Sequence, residues 1–94
     1  MRRETRSTPS KPINISGHAR FEMRRRGIQQ VEIERVVRSP EQVLPSRKGR
    51  DIYQSRIGAR AGLLLRVIVK EAATAYHVVT AYKTSKIAKY WKPS

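Results

Sequence analysis

The stretch Ala75–Trp91, reading Ala-Tyr-His-Val-Val-Thr-Ala-Tyr-Lys-Thr-Ser-Lys-Ile-Ala-Lys-Tyr-Trp, decides the fold. It opens as a β-branched and aromatic run suited to a pleated, half-buried surface, and it passes without Gly or Pro into Lys83-Thr84-Ser85-Lys86. A strand therefore delivers hydroxyls and ammonium groups to one edge of the fold, and the segment from Ser85 is read as a brief helix or an extended tail. No Asp or Glu occurs from Ala72 to Ser94, while Lys83, Lys86, Lys89 and Lys92 recur every third residue among Tyr82, Tyr90 and Trp91. Spaced cations interleaved with rings suit a polyphosphate chain whose bases can stack.

Working upstream, Leu63–Lys70 reads as a central strand. Leu63, Leu65, Val67 and Val69 fall on one face, and Leu64, Arg66, Ile68 and Lys70 on the other. Glu41–Ile57 reads as a hairpin, with Gln-Val-Leu and Asp-Ile-Tyr-Gln flanking a basic tip that turns at Gly49. Before it, Pro40 stops a helix over Gln30–Arg38 whose apolar face is Ile33, Val36 and Val37. Ser16 caps an earlier helix that runs to about Arg26 and ends at Gly27, with Ala19 and Met23 on its core face. The expected fold is α+β: two N-terminal helices packed on a roughly four-stranded antiparallel sheet. Residues 1–14 are read as a flexible basic tail and 15–94 as a single domain.

With 94 residues there is one small core and room for one site. The 21 Lys and Arg against 7 Asp and Glu give a net charge of +14, well beyond what solubility asks of such a domain. Nucleic acid is the first partner class this implies, an acidic protein the second and an anionic membrane surface a weaker third, and no membrane partner is expected. The absence of cysteine excludes disulfides and thiolate metal sites, and two histidines do not suggest a metal centre, so neither a metal nor another cofactor is expected. No apolar run approaches the ~20 residues of a membrane span, and no apolar segment follows the basic N-terminus, so a cytoplasmic location is expected.

The ordered set Ser16-Gly17-His18-Ala19, Met23, Arg26-Gly27-Ile28, Ser39-Pro40-Glu41 and Tyr82-Lys83-Thr84-Ser85-Lys86 resembles a small bacterial family of domains of unknown function. That family is assigned by fold analogy to the RelE/ParE-like toxins of the barnase, EndoU, colicin and RelE ribonuclease superfold. The resemblance runs from Ile15 to Trp91. Glu22 stands where a basic residue is commoner, and Gln29 replaces a Ser or Thr cap. The resemblance implies a toxin-type, metal-independent endoribonuclease with RNA as substrate, and an acidic antitoxin-type protein as a further partner. The rival readings are a non-catalytic nucleic-acid-binding module and a domain that acts on an acidic protein.

Metal-independent cleavage needs a base for the 2′-OH, an acid for the leaving 5′-oxygen and cations for the pentavalent phosphate. His18 is the candidate acid or base, with Glu22 one turn away to tune it; the alternative is a structural hydrogen bond that locks the helix. His77 reads as structural or surface. Arg66 is a phosphate clamp or else a sheet-face ion pair with Asp51 or a glutamate. Lys83 and Lys86 supply charge and Thr84 and Ser85 hydroxyls; against this, the four are a solvated strand end. Tyr82 acts through its ring or hydroxyl, or simply packs with its tip wet. Arg24, Arg25, Arg26, Arg47, Lys48, Arg50, Lys89 and Tyr90 complete the expected nucleic-acid contacts, and Trp91 is read as a plug for the core.

Overall fold

The computed structural model describes residues 11–93. Five strands and three helices follow in the order β1 (Ile13–Ile15), α1 (Gly17–Arg26), α2 (Gln30–Arg38), β2 (Gln42–Pro45), β3 (Asp51–Ile57), β4 (Leu63–Glu71), β5 (Tyr76–Thr84) and α3 (Ile87–Tyr90). The architecture is mixed α+β, with strand order β1-β5-β4-β3-β2. The strand count is five, not four, and the sheet is not wholly antiparallel: β1 pairs parallel to β5, with Ile13 opposite Tyr76 and Ile15 opposite Val78.

That extra strand lies partly in the expected tail. Pro12 accepts the Tyr76 N–H at 2.9 Å, and Lys11 reaches the Glu71 carboxylate at 2.6 Å while lying over the Tyr76 ring. Residues 11–14 of the expected tail are therefore tied to the sheet, and residues 1–10 lie outside the described residues. Three residues of Ile-Asn-Ile carry too little pattern to announce a strand; a completed β5 edge supplies the missing backbone partners.

Both main helices end where their capping chemistry places them. Ser16 Oγ accepts the Ala19 N–H at 3.0 Å, and Gly27 takes the left-handed conformation (φ 66°) that lets its own N–H and that of Ile28 close back on Arg24 and Met23. At α2 the Gln29 N–H donates to the Glu32 carboxylate at 2.9 Å, the half of a capping box in which the N3 side chain satisfies the N-cap backbone. The hairpin tip has Lys48 and Gly49 both at positive φ, the backbone that matches the twist of its flanking strands.

One face of the sheet carries the core. Ala19, Met23, Ile33, Val36 and Val37 of the helices pack on Leu65, Val67 and Val69 of β4, on Tyr53 of β3, and on Val78 and Ala81 of β5. Val78 and Ala81 are three apart, which strict alternation forbids; a bulge opposite Ile68 and Val69 inserts one residue and turns both inward. The same bulge sends His77 to the face opposite Ala81, where it pairs with Lys70.

Ile33 is fully buried whereas Val31 is 52% exposed. Ile33→Ala should cost about 2–5 kcal/mol, and Val31→Ala no more than about 0.5 kcal/mol, in urea unfolding. Tyr53 adds a pH dependence. Burial first, then the Glu71 carboxylate that accepts its hydroxyl at 3.4 Å, pushes the phenol up to about 12. A raised folded value makes this contribution complete below the unfolded value of about 10 and lost as pH rises through about 12. Unfolding midpoints should fall across that window in the parent, and Tyr53→Phe should remove that part of the fall.

Candidate nucleic-acid interface

Because Leu65, Val67 and Val69 point at the helices, the intervening Arg66 points to the opposite, open face of the sheet. Gln54 lies across from it on β3 and Tyr82 on β5. The Arg66 Nε–H donates to Gln54 Oε1 at 2.8 Å, and Nη1 donates to the Tyr82 hydroxyl at 2.5 Å. The Tyr90 ring covers the guanidinium at 4.2 Å, and meets Tyr82 edge-on at 6.3 Å. The residue is only 7% exposed.

Among the described residues Arg66 has no carboxylate partner, so the alternative reading, an ion pair with Asp51 or a glutamate, is not formed there. Its Nη2 group likewise has no hydrogen-bond acceptor there. A buried cation held only by neutral groups keeps its full charge for an anion. The Tyr82 hydroxyl accepts from Nη1, which leaves its own proton to donate beside the same anion.

The open face is roofed at this point by α3 and the residues after it. Gln54 Nε2 donates to the Tyr90 carbonyl at 3.2 Å and to Gln42 Oε1 at 2.8 Å. The Gln42 amide in turn binds the Lys92 backbone twice, donating to its carbonyl at 2.5 Å and accepting its N–H at 3.1 Å. Gln54 is completely buried. Neither glutamine stands out in the sequence. The available signal was a polar residue with an amide, directly opposite Arg66 in the hairpin register, and that register is visible only once β3 and β4 are paired. Trp91 is half-buried on this side against the Arg56 guanidinium at 4.5 Å, so it does not plug the helix-side core.

The other expected site residues are divided. Lys83 points to the helix side, where its ammonium meets the Gly27 carbonyl at 3.2 Å and Glu32 at 3.5 Å. His18 is exposed at the start of α1, which packs on the helix side, so imidazole and Arg66 guanidinium lie on opposite faces of the sheet. Glu22 is held by Arg25 at 2.9 Å and Arg26 at 2.8 Å. Arg26 also donates to the Ala81 carbonyl, which ties α1 to β5 and leaves Arg24 as the member of the triplet without an ion pair among the described residues.

Lys86 and Ser85 are exposed at the end of β5, and Thr84 Oγ1 accepts the Lys86 N–H at 3.0 Å. Lys89 lies over the Tyr90 ring at 5.2 Å. These join Arg66, Tyr82 and Tyr90 near one end of the open face. Arg47 and Lys48 are exposed on the hairpin tip, and Arg50, half-buried, leaves its Nε without a partner. His77 is on the open face but pairs with Lys70, about 13 Å along β4 from Arg66. One imidazole is thus on the wrong face and the other too distant.

A cavity of about 420 Å³ lies apart from Arg66 between α2 and the end of β3. Glu32, Glu41, Arg35 and Arg56 line it. Arg56 holds the Glu41 carboxyl below its ordinary range through side-chain and backbone hydrogen bonds, so that guanidinium is already paired with a carboxylate. No group of three or more metal-ligating side chains and no helix long and apolar enough to cross a membrane occurs among the described residues.

These features define an α+β domain with a recessed guanidinium on the open face of its sheet that has no carboxylate partner among the described residues. Residues 15–87 match the family described as Domain of unknown function (DUF4258), and the chain belongs to that family. The match takes in His18, Arg66 and Tyr82 and stops short of Tyr90 and Trp91. No curated protein and no solved structure matches the chain.

The network makes an energetic prediction. Arg66→Met removes a desolvated charge and leaves only neutral groups short of a partner, so its stability should stay within about 1 kcal/mol of the parent. Gln54→Leu strands the guanidinium and the Tyr90 carbonyl, and should lose about 1–3 kcal/mol. Urea unfolding of the two variants checks the order, and a larger loss in Arg66→Met would mean that the guanidinium is there for stability.

Proposed function

We propose that this domain binds RNA through the open face of a RelE/ParE-like sheet, with Arg66 as the phosphate anchor. The observation that carries the reading is Arg66, a residue only 7% exposed, whose guanidinium has no carboxylate partner among the described residues of a chain of net charge +14. Tyr82 offers a phenolic proton beside it, Lys86 and Lys89 surround the approach, and the hairpin tip extends the positive field toward flanking phosphates, while Arg24 lies on the helix side and takes no part.

Toxin-type endoribonuclease action is the less supported form of this reading. Arg66 would stabilise the pentavalent phosphate and Tyr82 would protonate the leaving 5′-oxygen while the 2′-oxygen attacks phosphorus to give a 2′,3′-cyclic product. That step also needs a base for the 2′-OH proton, and neither histidine lies within reach of Arg66. Docking on an acidic protein draws on the same charge but gives no reason for a recessed cation under an aromatic roof.

Binding of a labelled single-stranded RNA, followed by fluorescence anisotropy across a salt series, tests the proposal. Arg66→Met should weaken binding at least about tenfold and lower the salt slope by about one, with His18→Ala matching the parent. Equal affinity in parent and Arg66→Met would remove Arg66 as the anchor. Product analysis in excess chelator, on parent and Tyr82→Phe, reads out cleavage separately.

A further inference from the structure

We infer that Tyr90 and Trp91 form a stacking platform beside Arg66, and that the ligand of this site is single-stranded rather than duplex RNA; the inference rests on the RNA reading above. The two rings are consecutive in the chain, and each lies against a guanidinium: Tyr90 on Arg66 at 4.2 Å and Trp91 on Arg56 at 4.5 Å. Arg56 and Arg66 occupy diagonal positions on β3 and β4, since Gln54 is opposite Arg66 and Arg56 opposite Leu64. That diagonal is about 7–8 Å, comparable to one nucleotide step.

The platform is held in place before any ligand arrives. Gln54 fixes the carbonyl of Tyr90, Gln42 fixes both backbone groups of Lys92, and the Trp91 N–H donates to the Ile87 carbonyl at 2.7 Å. The backbone on both sides of Trp91 is therefore tied down by glutamine amides, which lowers the ordering cost that a mobile terminus would bring to binding. Glu41 bonds the Arg56 guanidinium at 3.2 Å through both Nε and Nη2 and holds it under the indole. Arg56 thus serves as a support for the ring, and Arg66 remains the cation without a carboxylate.

Both rings are half-buried, with one side against the sheet; Lys89 also lies over Tyr90 at 5.2 Å, so Trp91, which has no aromatic partner among the described residues, offers the freer ring face. An outer ring face can accept a base only if the base is unpaired and unstacked, as in a single strand. The depth of Arg66 points the same way. A duplex keeps its phosphates on the outside of a stiff rod, which is poorly shaped to reach a cation at 7% exposure beneath Tyr90. A flexible strand can lower one phosphate to Arg66 while the neighbouring base lies on Trp91.

Trp91 is the only tryptophan in the chain, so its emission reports the contact directly. The intact protein is titrated with a fluorescently labelled short oligouridylate and with a labelled RNA duplex of the same length, following anisotropy and Trp91 emission together. The expected result is quenching of Trp91 in step with binding of the single strand, and weaker duplex binding without quenching. Trp91→Leu should weaken single-strand binding about 5- to 150-fold and leave duplex binding unchanged, with Trp91→Phe recovering most of the loss. Single-strand binding that depends on Arg66 but leaves Trp91 emission unchanged, with Trp91→Leu equal to the parent, overturns the platform and spares the RNA reading. Binding of neither RNA overturns both.

Discussion

The constraint on which the open face depends is the burial of the Arg66 guanidinium without a counter-ion. Several kcal/mol of desolvation oppose such an arrangement, and the surrounding structure answers it with neutral groups: the Gln54 amide, the Tyr82 hydroxyl and the Tyr90 ring. A carboxylate in the place of Gln54 would stabilise the cation better in the free protein and would also quench its field. An amide oxygen orients the guanidinium and leaves the charge intact. The same glutamine holds the C-terminal segment over the sheet, so orientation of the cation and placement of its aromatic roof come from one side chain.

The distribution of the acidic residues fits this division. Glu22 serves Arg25 and Arg26, Glu32 serves the α2 cap and Lys83, Glu41 serves Arg56, and Glu71 serves Lys11 and Tyr53. These pairs lie around the helices and the sheet margins, where they join elements. Several basic residues that look alike in sequence therefore differ in role: Arg26 and Lys83 are engaged by backbone carbonyls and glutamates, whereas Arg66 is held only by neutral groups. Net charge indicates what kind of partner to expect, and only these local pairings indicate which cations remain to meet it.

Much of the architecture was legible because its signals are local. Ser16, Gly27 and Pro40 bracket the two helices, and the alternation of Leu63–Lys70 identified the central strand and singled out Arg66 as a charge among apolar neighbours. What escaped depends on pairing. Ile13–Ile15 is a strand only because β5 lies beside it, and the bulge that brings Val78 and Ala81 inward leaves no mark in a sequence already rich in Val, Thr and Ala. Gln42 and Gln54 are ordinary strand residues until the β2–β3 and β3–β4 registers stack them beside Arg66. The separation of His18 from Arg66 is of the same kind, since the spacing of residues along a chain says nothing about which side of a sheet a helix covers.

The two faces of the sheet also separate stability from recognition. Both main helices and most of the apolar core lie on one side, with the Ile33, Val36 and Val37 stripe packed on β3 and β4, so the opposite side contributes less to holding the domain together. A polar network with an unpaired cation can be tolerated there because its cost is set against a core that it does not interrupt. The same reasoning explains why so short an element as α3 suffices as a roof. It closes no large apolar surface and needs only to hold two rings and a carbonyl in register with Gln42, Gln54 and the two guanidinium groups, a task for a few directional bonds and stacks. Truncation at the end of β5 would therefore leave the helix-side core intact while removing the Tyr90 ring from the Arg66 guanidinium.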